Sequence, residues 1–333
     1  MKKTIGVFVI LMIASLILAG YLLSPPPNKA HPPKIGVLVV NDLRLIKVDG
    51  LKASLSELGF AEEGEVTYQI ENAQNNLSQL SRLGERLVEG KPDVLVAAGA
   101  VEALILQELT IKRDSNIPVV FMGTLSPSEI GLVQNTARPG KNLTGLNNYH
   151  YELTPKRLEL LHRLLPGIKR VAVLGDTRVP FFEQTQSGLI KVAEGLGLEL
   201  HTYTVSNMEE IHKVFLEMQE AKVEGIVLLP GFFLETSTRQ IVDIALQRKI
   251  PVFGVYPQDT EEGCLASYGT SNWSQGAQSA HIVSKVLHGQ SPQDIPVETP
   301  DQIIFSINLK TAQKLGVSPS LGVLSLADQV VQP

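Results

Sequence analysis

Polar and aromatic side chains recur in this chain directly after short apolar runs, where a buried strand would end and a small molecule could be met. Asn41 and Asp42 follow the first run, Gly99 and Ala100 open an apolar helix after another, and Thr124 ends a third. Further on come Asp176 with Phe181 and Phe182, then Gly231 with Phe232, then Tyr256 with Asp259. The chemistry these types offer is binding. Asn41 and Asp42 can hydrogen-bond a ligand or cap the next turn. The amides at a helix start favour an anion, and Asp176 and Asp259 are the acids placed to meet a cation. Arg44 and Arg178 lie in separate loops and could clamp a carboxylate from two sides. The phenylalanines can stack a planar ligand or fill a core. Trp273, the single tryptophan, opens a helix and faces either a cleft or a sheet. No catalytic constellation accompanies them: Gly-x-Ser-x-Gly, phosphate-loop and strand-linked GxGxxG patterns are missing from the sequence. The seven histidines include no i, i+4 pair with a third ligand nearby. Neither a catalytic residue, a metal nor a cofactor is therefore expected. Cys264, the single cysteine, reads as a small core residue and can form no internal disulfide.

The elements that must position these residues are written twice. KIGVLVV (34–40), LGFAEEGEVTYQI (58–70), PDVLVAAGA (92–100) and IPVVFMGTL (117–125) are answered by RVAVLGD (170–176), LGLELHTYTV (196–205), VEGIVLLPG (223–231) and IPVFGVYP (250–257). Val- and Ile-rich runs alternating with longer segments of helical spacing are how buried parallel strands with crossover helices read. Two such α/β lobes place a cleft between them, and ligands of open α/β sheets collect outside the carboxyl ends of the strands. LTGLNNY (143–149) ends the first copy and should cross to the second. LASYG (265–269) ends the second copy, and the helix over 275–287 finds a partner only by crossing back. IIFSINL (303–309) then alternates like a strand. The expected fold is two doubly wound parallel-sheet lobes joined by a three-stranded hinge, with 34–146 plus 270–302 as one lobe and 147–269 plus 303–333 as the other.

The ordered series LSELGF, PDVLVAAGA, IPVVFMGTLSPSEIGLV, RPGKNLTGL, RLELLHRLLPGIKRVAVLGD, IPVFGVYPQDTEEGCLASYG and IPVETPDQIIFSINLKTAQKLGV resembles the ABC-transporter substrate-binding protein family that includes tryptophan- and aromatic-amino-acid-binding members. The resemblance spans about 34–317 and implies the type I periplasmic-binding-protein fold, a small-molecule ligand held between the lobes, and an ABC permease as partner. It thins at the ligand positions. Ala98, Gly99 and Ala100 stand where such members resemble a Thr-Pro-Ser run, which removes the hydroxyls and leaves the helix-start amides. Gly123-Thr124-Leu125 replaces Thr-Asp-Pro, retaining Thr124 as a contact without the acid. Tyr256-Pro257-Gln258-Asp259 carries its acid displaced from the family position, and Ser271-Asn272-Trp273 stands for Asp-Tyr-Tyr. The implied ligand is a small organic solute, amino-acid-like or planar. A membrane-tethered sensing module that signals to a partner protein without transport remains the alternative.

Residues 1–23, MKKTIGVFVILMIASLILAGYLL, place two lysines before an apolar run long enough for a bilayer. They read as a signal or an uncleaved anchor meeting the membrane through 5–23, which leaves the remainder outside the cytoplasm. SPPPNKAHPP (24–33) is a stiff spacer. A formal net charge of -5 over 333 residues, without a Lys/Arg cluster, argues against nucleic acid as a partner.

Overall fold

A computed structural model describes residues 31–62, 64–180 and 182–333. The expected anchor over 1–23, most of the 24–33 spacer, and Phe181 lie outside the described residues.

The first sheet contains β1 (Lys34–Val39), β2 (Thr67–Asn72), β3 (Val94–Ala97), β4 (Val119–Thr124) and β5 (Leu143–Asn147). All pairs are parallel, in the order β2-β1-β3-β4-β5. The crossovers include α1 (Leu45–Glu57), α2 (Leu77–Glu89) and α3 (Ala100–Lys112). Because successive strand residues point to opposite faces, β1 divides itself between two cores. Leu38 joins Leu95, Phe121 and the apolar faces of α2 and α3, while Ile35, Val37 and Val39 face α1. That second face is completed by α8 (Asn272–Leu287), which arrives from the far end of the sequence and contributes Ala280, Ile282 and Val283. Burial on both sides explains why the central strands read as unbroken apolar runs.

The second sheet has the order β12-β11-β10-β9-β8-β6-β7. Its repeat-related strands are β6 (Arg170–Gly175), β7 (Glu199–Thr204), β8 (Gly225–Leu228), β9 (Val252–Gly254) and β10 (Ala266–Gly269), with α4 (His150–Leu164), α5 (Phe182–Leu196), α6 (Met208–Glu220) and α7 (Phe232–Gln247) around them. The sheet is parallel, as expected, except at one pair: β11 (Ile304–Asn308) runs antiparallel to β10. The chain returning from the first lobe enters this sheet at the hinge end, so its strand must point away from the cleft. After α9 (Leu309–Leu315) and α10 (Leu321–Leu324), the tail adds an edge strand, β12 (Gln329–Val331), that periodicity did not reveal.

Three connections join the lobes: between β5 and α4, between β10 and α8, and between the Glu298 region and β11. The third starts as a short extension of the first sheet, where Glu298 accepts from Asn147 N at 2.9 Å and donates to Gly145 O at 2.9 Å. The α1–α8 packing fixes the second connection to the first lobe. Gly50 and Gly276 let the two backbones meet, since a Cβ at either would collide with Trp273 O or Lys47 O respectively.

Candidate functional site

The carboxyl ends of both sheets converge on one buried ionic cluster. Asn41 leaves β1 extended and caps the turn Asp42–Arg44, its Oδ1 accepting from Arg44 N at 3.1 Å. This turn delivers Arg44, and α1 then delivers Lys47, above β3 and β4. Arg44 Nη1 donates to both oxygens of Glu102, at 3.0 and 2.8 Å. Its Nε and Nη2 reach the other lobe, donating to Glu235 Oε2 at 3.3 Å and Oε1 at 3.2 Å. Glu102 and Glu235 occupy matching places in the repeat, each in the first turn of the helix after the third strand of its copy. One guanidinium is thus shared by carboxylates of both lobes. Tyr256 Oη donates to Glu235 Oε1 at 2.6 Å.

Lys47 Nζ spends its three protons on Ala98 O (2.8 Å), Met122 O (2.9 Å) and Gln275 Oε1 (2.9 Å). Gly123 makes room for this arrangement: its φ of 89° suits glycine, and a Cβ there would collide with Gln275 Oε1. Burial, helped by the Arg44 charge, brings the Lys47 ammonium down to about 7. Burial also works against the Arg44 charge, but Glu102 and Glu235 outweigh it and hold the guanidinium above its ordinary value. Burial likewise opposes the Glu235 charge, and Arg44 and Tyr256 outweigh it, holding that carboxyl below the usual range. The cluster therefore sets one permanent cation against two carboxylates, with Lys47 titrating near neutrality.

Beside the cluster lies a cavity of about 30 Å3 lined by Gly99, Ala100, Thr124, Gly231, Phe232 and Tyr256, among others. It has room for a water molecule or two. Thr124 Oγ1 and His150 Nε2 border it, both buried and without a protein partner. Arg157 Nη2 can only donate, so its 3.0 Å contact makes His150 Nδ1 the acceptor and leaves the ring proton on Nε2. Burial, followed by the Arg157 charge, keeps that ring neutral, well below its ordinary value. On the other side of Glu235 and Tyr256 is a larger cavity of about 410 Å3. Asp42, Ile46 and Asn75 of one lobe and Arg239, Asp259 and Glu262 of the other contribute to its walls.

The sequence-selected residues divide accordingly. Gly99, Ala100, Thr124, Gly231 and Phe232 surround the inner cavity, Asp42 and Asp259 the outer one, and Tyr256 borders both. Asn41 joins the lobes by donating from Nδ2 to Phe232 O at 3.4 Å, and the Phe232 ring enters the first lobe's core. The helix start at Gly99 is covered by Arg44 and Glu102, and only glycine leaves space for the guanidinium. Asp176 borders neither cavity; it is buried and binds Arg178 at 2.6 Å, whose guanidinium sits 4.9 Å from the Phe232 ring centre. Phe182 packs against Gly175 and the second lobe's core. Trp273 is half exposed beside a different cavity behind the hinge. Arg44 and Arg178 do not converge on one space, because each already has its carboxylate. Lys47, Glu102, Glu235 and His150 were not foreseen, although Glu102 and Glu235 share a usable signal: an acid in the first helical turn after Gly99 and after Gly231.

Asp259 supports this wall at a cost. Its Oδ2 accepts from Val255 N at 2.7 Å and Tyr256 N at 2.9 Å, yet burial prevails and pushes its carboxyl from 3.8 up to about 6. A raised folded value means that its stabilising contribution is complete below the unfolded value and lost as pH rises through 6. The shift corresponds to on the order of 3 kcal/mol. Asp259→Asn should therefore flatten the decline in unfolding free energy between pH 4 and 6. Urea titrations across that window check this, and an unaltered slope would refute it.

Among the described residues, no group of three His, Cys, Asp or Glu side chains could hold a metal ion, and no helix is long and apolar enough to cross a membrane. Comparison with known proteins gives a consistent result. A tyrosine-binding protein of Clostridioides difficile is 26% identical over 267 residues, covering 80% of this chain and 75% of that protein. The crystal structure of an ABC domain in complex with L-Trp from Streptococcus pneumoniae superposes with a TM-score of 0.82 at 25% identity, covering 90% of this chain and all of the other. A conserved domain protein of Vibrio cholerae gives the same score and identity, covering 90% of this chain and 99% of its own. The architecture is that of the type I periplasmic binding proteins. The family model for ABC transporter substrate binding proteins matches residues 34–331, and the chain belongs to that family.

Proposed function

We propose that this protein is an extracytoplasmic receptor, tethered through residues 5–23, that closes its lobes on a small amino-acid-like solute and delivers it to an ABC permease. The lobes are 34–146 with 270–302 and 147–269 with 303–333. The observation that carries the reading is the Arg44 guanidinium shared across the cleft by Glu102 and Glu235. A solute entering between Arg44 and Glu235 separates two buried charges, and leaving one unpaired costs about 3–5 kcal/mol. A zwitterion replaces both partners, its ammonium meeting Glu235 and its carboxylate meeting Arg44. An uncharged solute replaces neither. The adjoining cavity of about 410 Å3 falls in the range of small-molecule sites and accepts the remainder of the solute. Similarity to a tyrosine-binding protein and to a tryptophan complex supports the same class.

Thermal unfolding of the full-length chain against amino acids, sugars and nucleosides tests the class. A true ligand adds about 2.7 kcal/mol at a hundredfold excess over its dissociation constant. Glu235→Gln preserves shape and removes the charge, so affinity for the responding amino acid should fall about a hundredfold, the upper range for a charged hydrogen bond. A response only to sugars, or unchanged affinity in Glu235→Gln, would refute the reading. Recovery of permease and ATPase subunits with the full-length chain from its own membranes supports delivery. Recovery of a signalling protein instead would favour the tethered sensing module.

A further inference from the structure

We infer that the protein carries a second small-molecule site, behind the hinge and separate from the interlobe cleft, which takes a planar heteroaromatic compound without negative charge. A cavity of about 290 Å3 opens there, and all three lobe connections border it: Leu146 at the first, Thr270 at the second, and the segment 300–302 at the third. That volume is near the lower end for small-molecule sites and suits one or two fused rings.

Three features of its wall point to an occupant. Trp273 lies on the rim with 49% of its surface exposed, an indole that neither core uses. Such a face gains most from a flat partner. Thr270 borders the cavity and is 1% exposed, yet its Oγ1 has no hydrogen-bond partner. A buried hydroxyl without a partner is unfavourable, and a donor or acceptor on a ring edge would satisfy it. The remaining polar wall is made of hydroxyls and amides, including Ser54, Ser274 and Gln302, together with the His281 ring, with Asp301 the carboxylate and no Lys or Arg. This composition pairs with the mixed donor and acceptor edge of a heteroaromatic ring and disfavours an anion.

The wall is held in place. Gln278 donates to Thr299 O at 2.8 Å and accepts from Asp301 N at 3.1 Å, so the third connection is pinned to α8. Gln275 lines this cavity while its Oε1 accepts from Lys47 on the cleft side. An occupant would touch every connection that lobe rotation must bend.

Trp273 is the single tryptophan of the chain and reports the site directly. The full-length chain is titrated separately with adenine and nicotinamide while Trp273 emission is followed. A saturable change with at least one probe is expected. Thr270→Val keeps the shape and removes the hydroxyl; it should weaken that probe about fivefold, the worth of one neutral hydrogen bond. Ser54→Phe fills the space from a half-buried position on α1 that lines the cavity and should abolish the response, with the melting midpoint measured alongside to confirm that the variant folds. Glu235→Gln, altered in the cleft, should retain a saturable response. The site is refuted if no probe gives a saturable change, if Glu235→Gln loses the response, or if Thr270→Val and Ser54→Phe both retain full affinity.

Discussion

Arg44→Met should lower the unfolding free energy at pH 7 by about 3–5 kcal/mol, the cost of leaving buried carboxylates without their cation. The Glu102 side chain is fully buried and that of Glu235 is 4% exposed, and Arg44 is the guanidinium that touches both. Methionine fills similar volume, so the loss reports charge rather than a cavity. The pH dependence identifies its source. In the unaltered protein, Arg44 holds the Glu235 carboxyl below its usual range, so this contribution is present above the unfolded value and lost as pH falls through the folded one. Without Arg44, burial dominates and raises that carboxyl instead. The difference between Arg44→Met and the unaltered chain should therefore shrink on acidification from pH 7 to pH 4.5. Combining Arg44→Met with Glu235→Gln should recover part of the loss, because the second change removes one orphaned charge. Urea unfolding of the two single variants and the double variant measures this coupling. A loss under about 1 kcal/mol with no coupling would place the interlobe bridge among ordinary surface pairs.

An effect of similar size is expected at Arg157, for a different reason. This side chain is completely buried and has no carboxylate in contact. Burial brings its guanidinium down to about 10. What holds it is a set of neutral acceptors: Tyr268 O at 2.8 Å, Thr154 Oγ1 at 2.8 Å, His150 O at 3.2 Å and His150 Nδ1 at 3.0 Å. His150 stands where the first connection enters α4, and Tyr268 belongs to β10, which leads into the second. Arg157 thus ties two hinge connections together. Arg157→Met should cost about 3–5 kcal/mol, since buried acceptors left unmade cost 1–3 kcal/mol each. Arg157→Lys should recover little, because one ammonium cannot span acceptors that a planar guanidinium meets from several sides. Hydrogen exchange at 148–150 and 268–271 should accelerate in both variants. Unchanged stability and protection would show that the hinge does not depend on this residue.

The fold was largely legible in the chain, the site much less so. Strand expectations at 34–40 and 170–176 became Lys34–Val39 and Arg170–Gly175, because burial on both faces imposes an apolar run that any such strand must show. The return of the helix over 275–287 to the first lobe followed from counting partners. β11 was visible as a strand but not in its direction, and β12 was too short to announce itself apart from the neighbour it pairs with. Among the selected residues, Thr124, Gly231, Phe232 and Tyr256 reach the cleft because strand ends point there. Asp176 and Phe182 occupy the same kind of position and turn to Arg178 and to the core instead.

By itself, then, the sequence determined two α/β repeats, the cleft between them and the loops that border it, since local periodicity and chain order encode strands, crossovers and their open ends. Tertiary structure alone decided that Arg44 serves Glu102 and Glu235, that Lys47 is spent on carbonyls and Gln275, and that Arg157 binds the hinge. Apart from His150 and Thr154, which lie within two helical turns of Arg157, those partners are far apart in the chain and meet only in the folded protein, Arg44 and Glu235 only when the lobes pack. Which charges are buried, and which neighbours compensate them, is settled by that packing and leaves no periodic trace in the order of residues.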